Sequence, residues 1–451
     1  VQFSPSSYTP NENSVQTVTA TRTGGVAGAV SVDYATGGGT ATAGTCGTDD
    51  YVSANGTLNW ADGEGGAKTF NVTICPDAVS DPGETIDITL SNATGGVTIG
   101  GTNPGLITIT DVAPPLSGTY NVPGDYPSLT NNDGIFKALN DSGASGNIVI
   151  NIAADLTGET GTHALNAIAS PYTVRISPTG SARVVSGAAA STALIRTNGA
   201  SRVTIDGSLG GGGTDRSLTI ENTSVTTPQV VRFGSIGATA ITANTLKNVV
   251  AINGVNTSSA VVVTDNAGTA GTFNNITIQN NDIRRAYIGV FTNATVTAGN
   301  GANLLITQND LDTSGANAIR TVGVYVQGAD GATVSSNSIG NFDGGADEDD
   351  TGIWLASGTT NSTVERNTVK NLNYTGTGGY GAHGIKISSA VTNANDVVKN
   401  NFIYGLSGDG YDYTSASFYA DNVFGIFATG GTQTGVKIYN NLVYLSGNTL
   451  D

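Results

Sequence analysis

Along residues 1 to 112, apolar and polar positions alternate in short runs. They are Val15-Gln-Thr-Val-Thr-Ala-Thr21, Val30-Ser-Val-Asp-Tyr34, Thr57-Leu-Asn-Trp60, Lys68–Ile74, Thr85–Leu90 and Leu106–Thr110, with Gly, Asn or Asp between them. Side chains along a strand point to alternate faces, so a period of two predicts strands buried on one side. Seven or so such strands, closely spaced, predict an all-β sandwich. Ala113-Pro114-Pro115 then removes two backbone donors and stiffens the path. The pattern divides the chain into a sandwich at 1–112, a linker at 113–116 and a second domain at 117–451.

That second domain opens with one predicted helix, Asp133–Asn140, which carries Ile135, Phe136 and Leu139 on one face and Asp133 as N-cap. Everything after it is strands and turns, and it repeats. An apolar-x-x-Asn-x-apolar frame recurs around Asn281, Asn309, Asn337, Asn367, Asn401 and Asn441. Asn253 and Asn222 read as earlier members, and the spacings from Asn253 onward are 28, 28, 28, 30, 34 and 40. Gly-aliphatic strands follow at Gly289, Gly323, Gly352, Gly384 and Gly425.

A unit of this length cannot bury a core alone, so its coils must stack. Stacking brings equivalent residues to about 4.8 Å. An Asn at one register then forms a ladder, each amide donating to a neighbour's carbonyl, with the Asn itself expected in the left-handed turn conformation. The growing spacings place insertions after the Asn, on one flank of successive coils. No threonine ladder is expected at the coil period.

Composition sharpens this picture. Gly is 63 of 451 residues and only 12% are charged, which fits tight turns and strands and excludes a long helical protein. The net charge of -17 disfavours nucleic acid and anionic membranes as partners and favours cations. No run approaches the roughly 18 apolar residues of a membrane span. The chain opens Val1-Gln-Phe3 with no charged-then-apolar leader, and Val436–Val443 still carries the strand pattern near its end. Both ends read as those of a processed product or fragment.

Residues 1–112 resemble a Calx-β domain. The shared stretches include Tyr8-Thr-Pro-Asn-Glu12-Asn, Arg22-Thr-Gly-Gly, Val30-Ser-Val-Asp-Tyr34-Ala-Thr, Asp50-Tyr51, Glu84-Thr-Ile-Asp-Ile-Thr-Leu90-Ser-Asn and Ile107-Thr-Ile-Thr-Asp111. The resemblance implies calcium ligands at one end of the sandwich, falling here on Glu12, Asp50, Asp77, Asp81 and Asp111, with Asp49 as an extra candidate. Calcium takes six to eight oxygen ligands, and these residues supply carboxylates. Pro76-Asp77 and Asp111-Val112 thin the usual acidic pattern, so one calcium ion is expected, at most two. Cys46 lies four residues before Asp50 and Cys75 two before Asp77. If the loops gather, a Cys46–Cys75 disulfide would pin them and imply an oxidising compartment.

Residues 116–451 are similar to a right-handed parallel β-helix of the pectin-lyase-like kind, with the helix at 133–140 as its cap. The resemblance implies roughly ten coils and long loops on one face that can host polysaccharide chemistry. Candidate catalytic groups there are Asp349, Asp350 and His383. They faintly match two polygalacturonase dipeptides, Asp349-Asp350 and His383-Gly384, while the rest of that motif set is missing. His383 therefore reads first as a turn histidine, and 343–350 as a solvated or cation-bearing acidic turn. The expected function is a structural or adhesive segment of a secreted or cell-surface protein, whose partners are further domains or other copies of the same chain. The alternative is a carbohydrate-active enzyme or glycan binder using the loops at 343–421.

Overall fold

The computed structural model describes residues 1–76, 83–111, 113–342, 348–374, 380–408 and 423–445. The chain divides into two compact units, Val1–Pro115 and Leu116–Asp451.

In the first unit, two sheets face each other. One has four strands in the order Gln2–Phe3, Ser14–Arg22, Gly66–Ile74 and Tyr51–Val52. The other has five, in the order Ser7–Tyr8, Gly105–Thr108, Thr85–Ser91, Val30–Gly39 and Asn55–Trp60. These nine short strands exceed the seven or so that alternation predicts, because pairs such as Ser7–Tyr8 are too short to show a period. The alternation itself sets burial: Phe70, Val72 and Ile74 face the core while Asn71 and Thr73 are exposed. Trp60 is 1% exposed, and its indole N–H donates to the Gly66 carbonyl at 3.1 Å, so the buried ring leaves no orphan donor.

The second unit is a parallel β-helix of about nine turns. One coil runs Thr277–Gln279, Asp282–Arg284, Ala286–Asn293 and then on to Leu305–Thr307 of the next. Repeated, these strands build a first sheet of eleven strands and second and third sheets of nine each. A single helix, Ile135–Ser142, buries Ile135, Phe136 and Leu139. Asp133 is not its N-cap: Gly134 holds that position without a side-chain bond. The first helical donors go instead to backbone, Ile135 N to Ser128 O at 3.1 Å and Phe136 N to Leu129 O at 3.0 Å. The loop supplying those carbonyls is fixed by buried Glu159, which accepts from Ser128 Oγ, Leu129 N, Thr130 N and Thr130 Oγ1.

Between the first and second sheets lies the asparagine ladder. In Asn281, Asn309, Asn337, Asn367 and Asn401, both the backbone N–H and Nδ2 donate to Oδ1 of the next rung, at 2.9–3.0 Å. Two parts of the expectation change. The left-handed residue is the one before each rung, such as Asn280 (φ 52°), Gln308 (φ 58°) and Arg366 (φ 56°), so the rung keeps an extended backbone. Asn253 and Asn222 are not rungs. Val250 pairs with Asp282, which puts Val249 at the ladder register; Val249 N closes the ladder on Asn281 Oδ1 at 3.1 Å. Asn222 and Asn253 sit at the next corner, between the second and third sheets, bonded to Gln229 O and Ser258 O.

Gly289, Gly323, Gly352, Gly384 and Gly425 form a second register-matched row, in the third sheet, and none has positive φ. Their constraint is space: a Cβ on Gly352 would lie 2.5 Å from Gly384 O and 2.5 Å from Val369 Cγ1. A threonine row also exists, contrary to expectation. On the first sheet Thr204, Thr245, Thr277, Leu305, Thr333, Thr363 and Val397 are successive partners, all half-buried.

Candidate functional site

The acidic end of the sandwich is assembled by strand register. Ser14 pairs with Ile74, and Ile74 with Tyr51, so Glu12, Cys75 and Asp50 leave the first sheet at the same edge. In the facing sheet Thr85 pairs with Thr108, and Asn11 bridges Thr110, which brings Asp111 to that edge as well. Glu12 N donates to Thr110 O at 3.1 Å, tying the two loops directly. Glu12 and Asp50 are each only 7% exposed. Asp50 accepts from Thr42 N through Oδ2 at 2.5 Å and, through its carbonyl, from Cys75 N at 2.8 Å. Asp49 takes Thr45 N and Thr48 Oγ1 instead, which stiffens its own loop.

Cys46 and Cys75 are disulfide-bonded, with their Cα atoms 4.8 Å apart, closing the Asp50 loop onto the end of Gly66–Ile74. Glu84 joins the same edge, its carbonyl accepting from Ile109 N at 2.8 Å; its signal in the sequence is its place just before Thr85. Asp77 and Asp81 lie outside the described residues. Among the described residues no group of three His, Cys, Asp or Glu is close enough to hold a metal ion. The donors present are all oxygens, two of them on nine-tenths-buried carboxylates, which is chemistry suited to a hard cation such as calcium.

A second constellation lies on the β-helix, where the second sheet passes to the third. Asp350 starts the strand Asp350–Leu355 and pairs with Ala382, so Thr351 pairs with His383. His383 is therefore a strand residue and not a turn histidine. It is fully buried, its ring stacked on Phe427 at 5.1 Å and beside Phe424 at 5.7 Å. Asp349 Oδ1 accepts from Gly381 N at 3.2 Å, and Glu348 accepts from Thr321 Oγ1 at 2.8 Å and pairs with Arg320 at 3.2 Å. The residues at 343–347 and 409–422 lie outside the described residues.

Phe291, Tyr325, Trp354, Lys386 and Phe427 are successive register partners along the third sheet, all half-buried. Phe291 and Tyr325 stack on each other at 5.2 Å and 15°, whereas the Trp354 plane is turned 78° from Tyr325. The Lys386 ammonium sits 4.3 Å over the Trp354 ring. Burial holds the Lys386 amine below its ordinary range, and the Asp349 carboxylate opposes that shift. Among the described residues no helix is long and apolar enough to cross a membrane.

Comparison with known proteins bears on the first unit. The Calx-beta domain family matches residues 1–112. The crystal structure of the apo-form Calx CBD1 domain is 32% identical over 24% of this chain and 93% of its own, with a TM-score of 0.23. The calcium binding domain CBD12 of CALX1.1 is 28% identical over 27% of this chain and 51% of its own, TM-score 0.23. CBD12 from CALX1.2 is 27% identical over 27% and 50%, TM-score 0.23, so the chain spans about half the length of both CBD12 structures. No curated protein matches the chain. By that family match residues 1–112 are a Calx-beta domain, which the chain couples to a parallel β-helix.

Proposed function

We propose that the chain is a structural, adhesive segment of a large secreted or cell-surface protein, in which a calcium-rigidified Calx-beta domain is joined to a β-helical scaffold. The observation that carries this reading is the Cys46–Cys75 disulfide at the carboxylate-bearing edge of the sandwich. Disulfides persist in oxidising, extracytoplasmic compartments, and this one draws the Asp50 loop toward the strand that leads to Asp77. Glu12, Asp50 and Asp111, with Asp77 and Asp81, would hold one calcium ion, and bound calcium would offset the repulsion among them. Its partners are further domains or other copies of the same chain, and filament growth would follow from coil stacking.

Calcium bound only by the folded domain must stabilise it by mass action, by about 2.7 kcal/mol at a hundredfold excess over Kd. Thermal unfolding of a Trp354→Phe chain reports the sandwich through Trp60, the other of the two tryptophans. Its midpoint should rise by several degrees in calcium relative to chelator. An unchanged midpoint removes calcium from the proposal.

One observation favours glycan binding as a second reading: the Tyr325, Trp354 and Phe427 rings form one row with Lys386 on the third sheet, and the Asp349 carboxylate is near enough to act on that lysine. The ring able to take a sugar is Trp354, from which the Lys386 side chain would first have to move. In a Trp60→Phe chain, Trp354 fluorescence should then change saturably with neutral or acidic oligosaccharides. A flat response across cellohexaose and polygalacturonate rejects that reading.

A further inference from the structure

Where the chain turns from the third sheet into the first, one residue just before each first-sheet strand points into the core. In four successive coils that residue is Ile276, Leu304, Ala332 or Ser362, and all are buried. In the following coil it is Asp396, before the strand Val397–Lys399, and it too is fully buried.

Asp396 Oδ1 accepts from Ser362 N at 3.1 Å, and Oδ2 accepts from Ser389 Oγ at 2.6 Å. Among the described residues it has no other side-chain partner and no cation. The charged groups on elements packed around it point elsewhere. Asp330 takes Asn361 and Thr360, Glu365 pairs with Lys399 at 3.2 Å, Lys386 lies over Trp354, and Lys437 is exposed. An ionised carboxylate here has lost its water and gained only two donors, a poor exchange for a full charge. Burial accordingly pushes its pKa from 3.8 up to about 6, against the pull of those two hydrogen bonds.

We propose that Asp396 is a proton-operated latch: protonated, it seals the corner joining Ser362 and Ser389, and ionised, it loosens residues 388–408 from the preceding coil. The sign follows from linkage. The folded coil holds the proton more tightly than the open one, so the extra stability is complete below about pH 4, declines as pH rises toward 6, and is absent above. A solenoid suits such a latch, because each coil contacts only its neighbours and can open locally.

The test is amide hydrogen exchange of the full chain between pH 4 and pH 7, corrected for intrinsic exchange. The opening equilibrium across 388–408 should grow roughly a hundredfold over that range, following a shift of about two pK units. Asp396→Asn keeps the acceptor for Ser362 N and offers a donor to Ser389, so it should flatten the dependence; Asp396→Ser, mimicking Ser362, is the second variant should Asn disturb folding. Asp310→Asn on the second sheet, whose carboxyl is also raised to about 6 by burial and by Asp312, should leave the 388–408 slope intact. A slope unchanged in both Asp396 variants, or equal in the 174–205 coils, overturns the latch.

Discussion

Replacing Gly352 by alanine is expected to lower the thermal midpoint of the β-helix by far more than a single added methyl on an open surface. The added Cβ would lie 2.5 Å from the Gly384 carbonyl oxygen and 2.5 Å from Val369 Cγ1. The valine could rotate, but the carbonyl belongs to the neighbouring third-sheet strand and is held by its ladder. Overpacking against side chains costs about 1–3 kcal/mol, and an immovable backbone atom puts this case at or above the top of that range. Gly158→Ala is the control, since nothing lies within 4 Å of its Cβ position and its φ is negative. That change should stay within about 0.5 kcal/mol of the parent. Equal melting of the two variants would show that the third-sheet glycines are not there for space.

The second large effect is expected at Asn337, in the middle of the ladder. Its Oδ1 takes two donors from Asn309, and its own Nδ2 donates to Ile306 O and to Asn367 Oδ1. Asn337→Ala orphans groups in both adjacent coils, in a position 1% exposed where water cannot replace them. Each buried unsatisfied group costs about 1–3 kcal/mol, so a total of roughly 3–5 kcal/mol is expected after partial relaxation. Asn441→Ala should cost less, because Asn441 is half-buried and serves only Asn401 as a rung acceptor. Chemical denaturation of both variants checks the ranking, and an Asn337 variant as stable as the Asn441 variant would refute the ladder as a source of stability.

Much of this was readable in the sequence because the relevant constraints are periodic. The six Asn frames and the Gly-aliphatic strands each recur at a register of their own, and the structure stacks each set in its own row. The errors share a physical origin. Asn253 and Asn222 fit the same local pattern, yet they occupy a corner where the amide is needed for backbone carbonyls, and a one-strand displacement leaves no local trace. The threonine row went unread because Thr204, Thr245, Thr277, Thr333 and Thr363 are separated by unequal stretches, with Leu305 between two of them. Insertions at another corner stretch the period without disturbing the register. His383 stands one residue before the Gly384 strand frame, so the frame alone leaves it outside the strand, which in the structure begins at Ala382. At the sandwich edge, Glu12, Asp50 and Asp111 follow from the family pattern, while Glu84 lies within the quoted stretch Glu84–Asn92 and reaches the edge only through strand register.

The ladder's rung-to-rung distances carry a further consequence. The chain between successive rungs lengthens from 28 to 30, 34 and 40 residues, yet the amide bonds remain at 2.9–3.0 Å throughout. Length is thus fixed at the asparagine corner and absorbed at the other two, the corner between the second and third sheets taking the largest share. Loop-closure cost rises only slowly with length, by about 0.6 kcal/mol per doubling. The second corner is therefore a splice point, where a foreign loop, epitope tag or small domain could be inserted in several consecutive coils and displayed as a stacked array without renumbering the core beneath it.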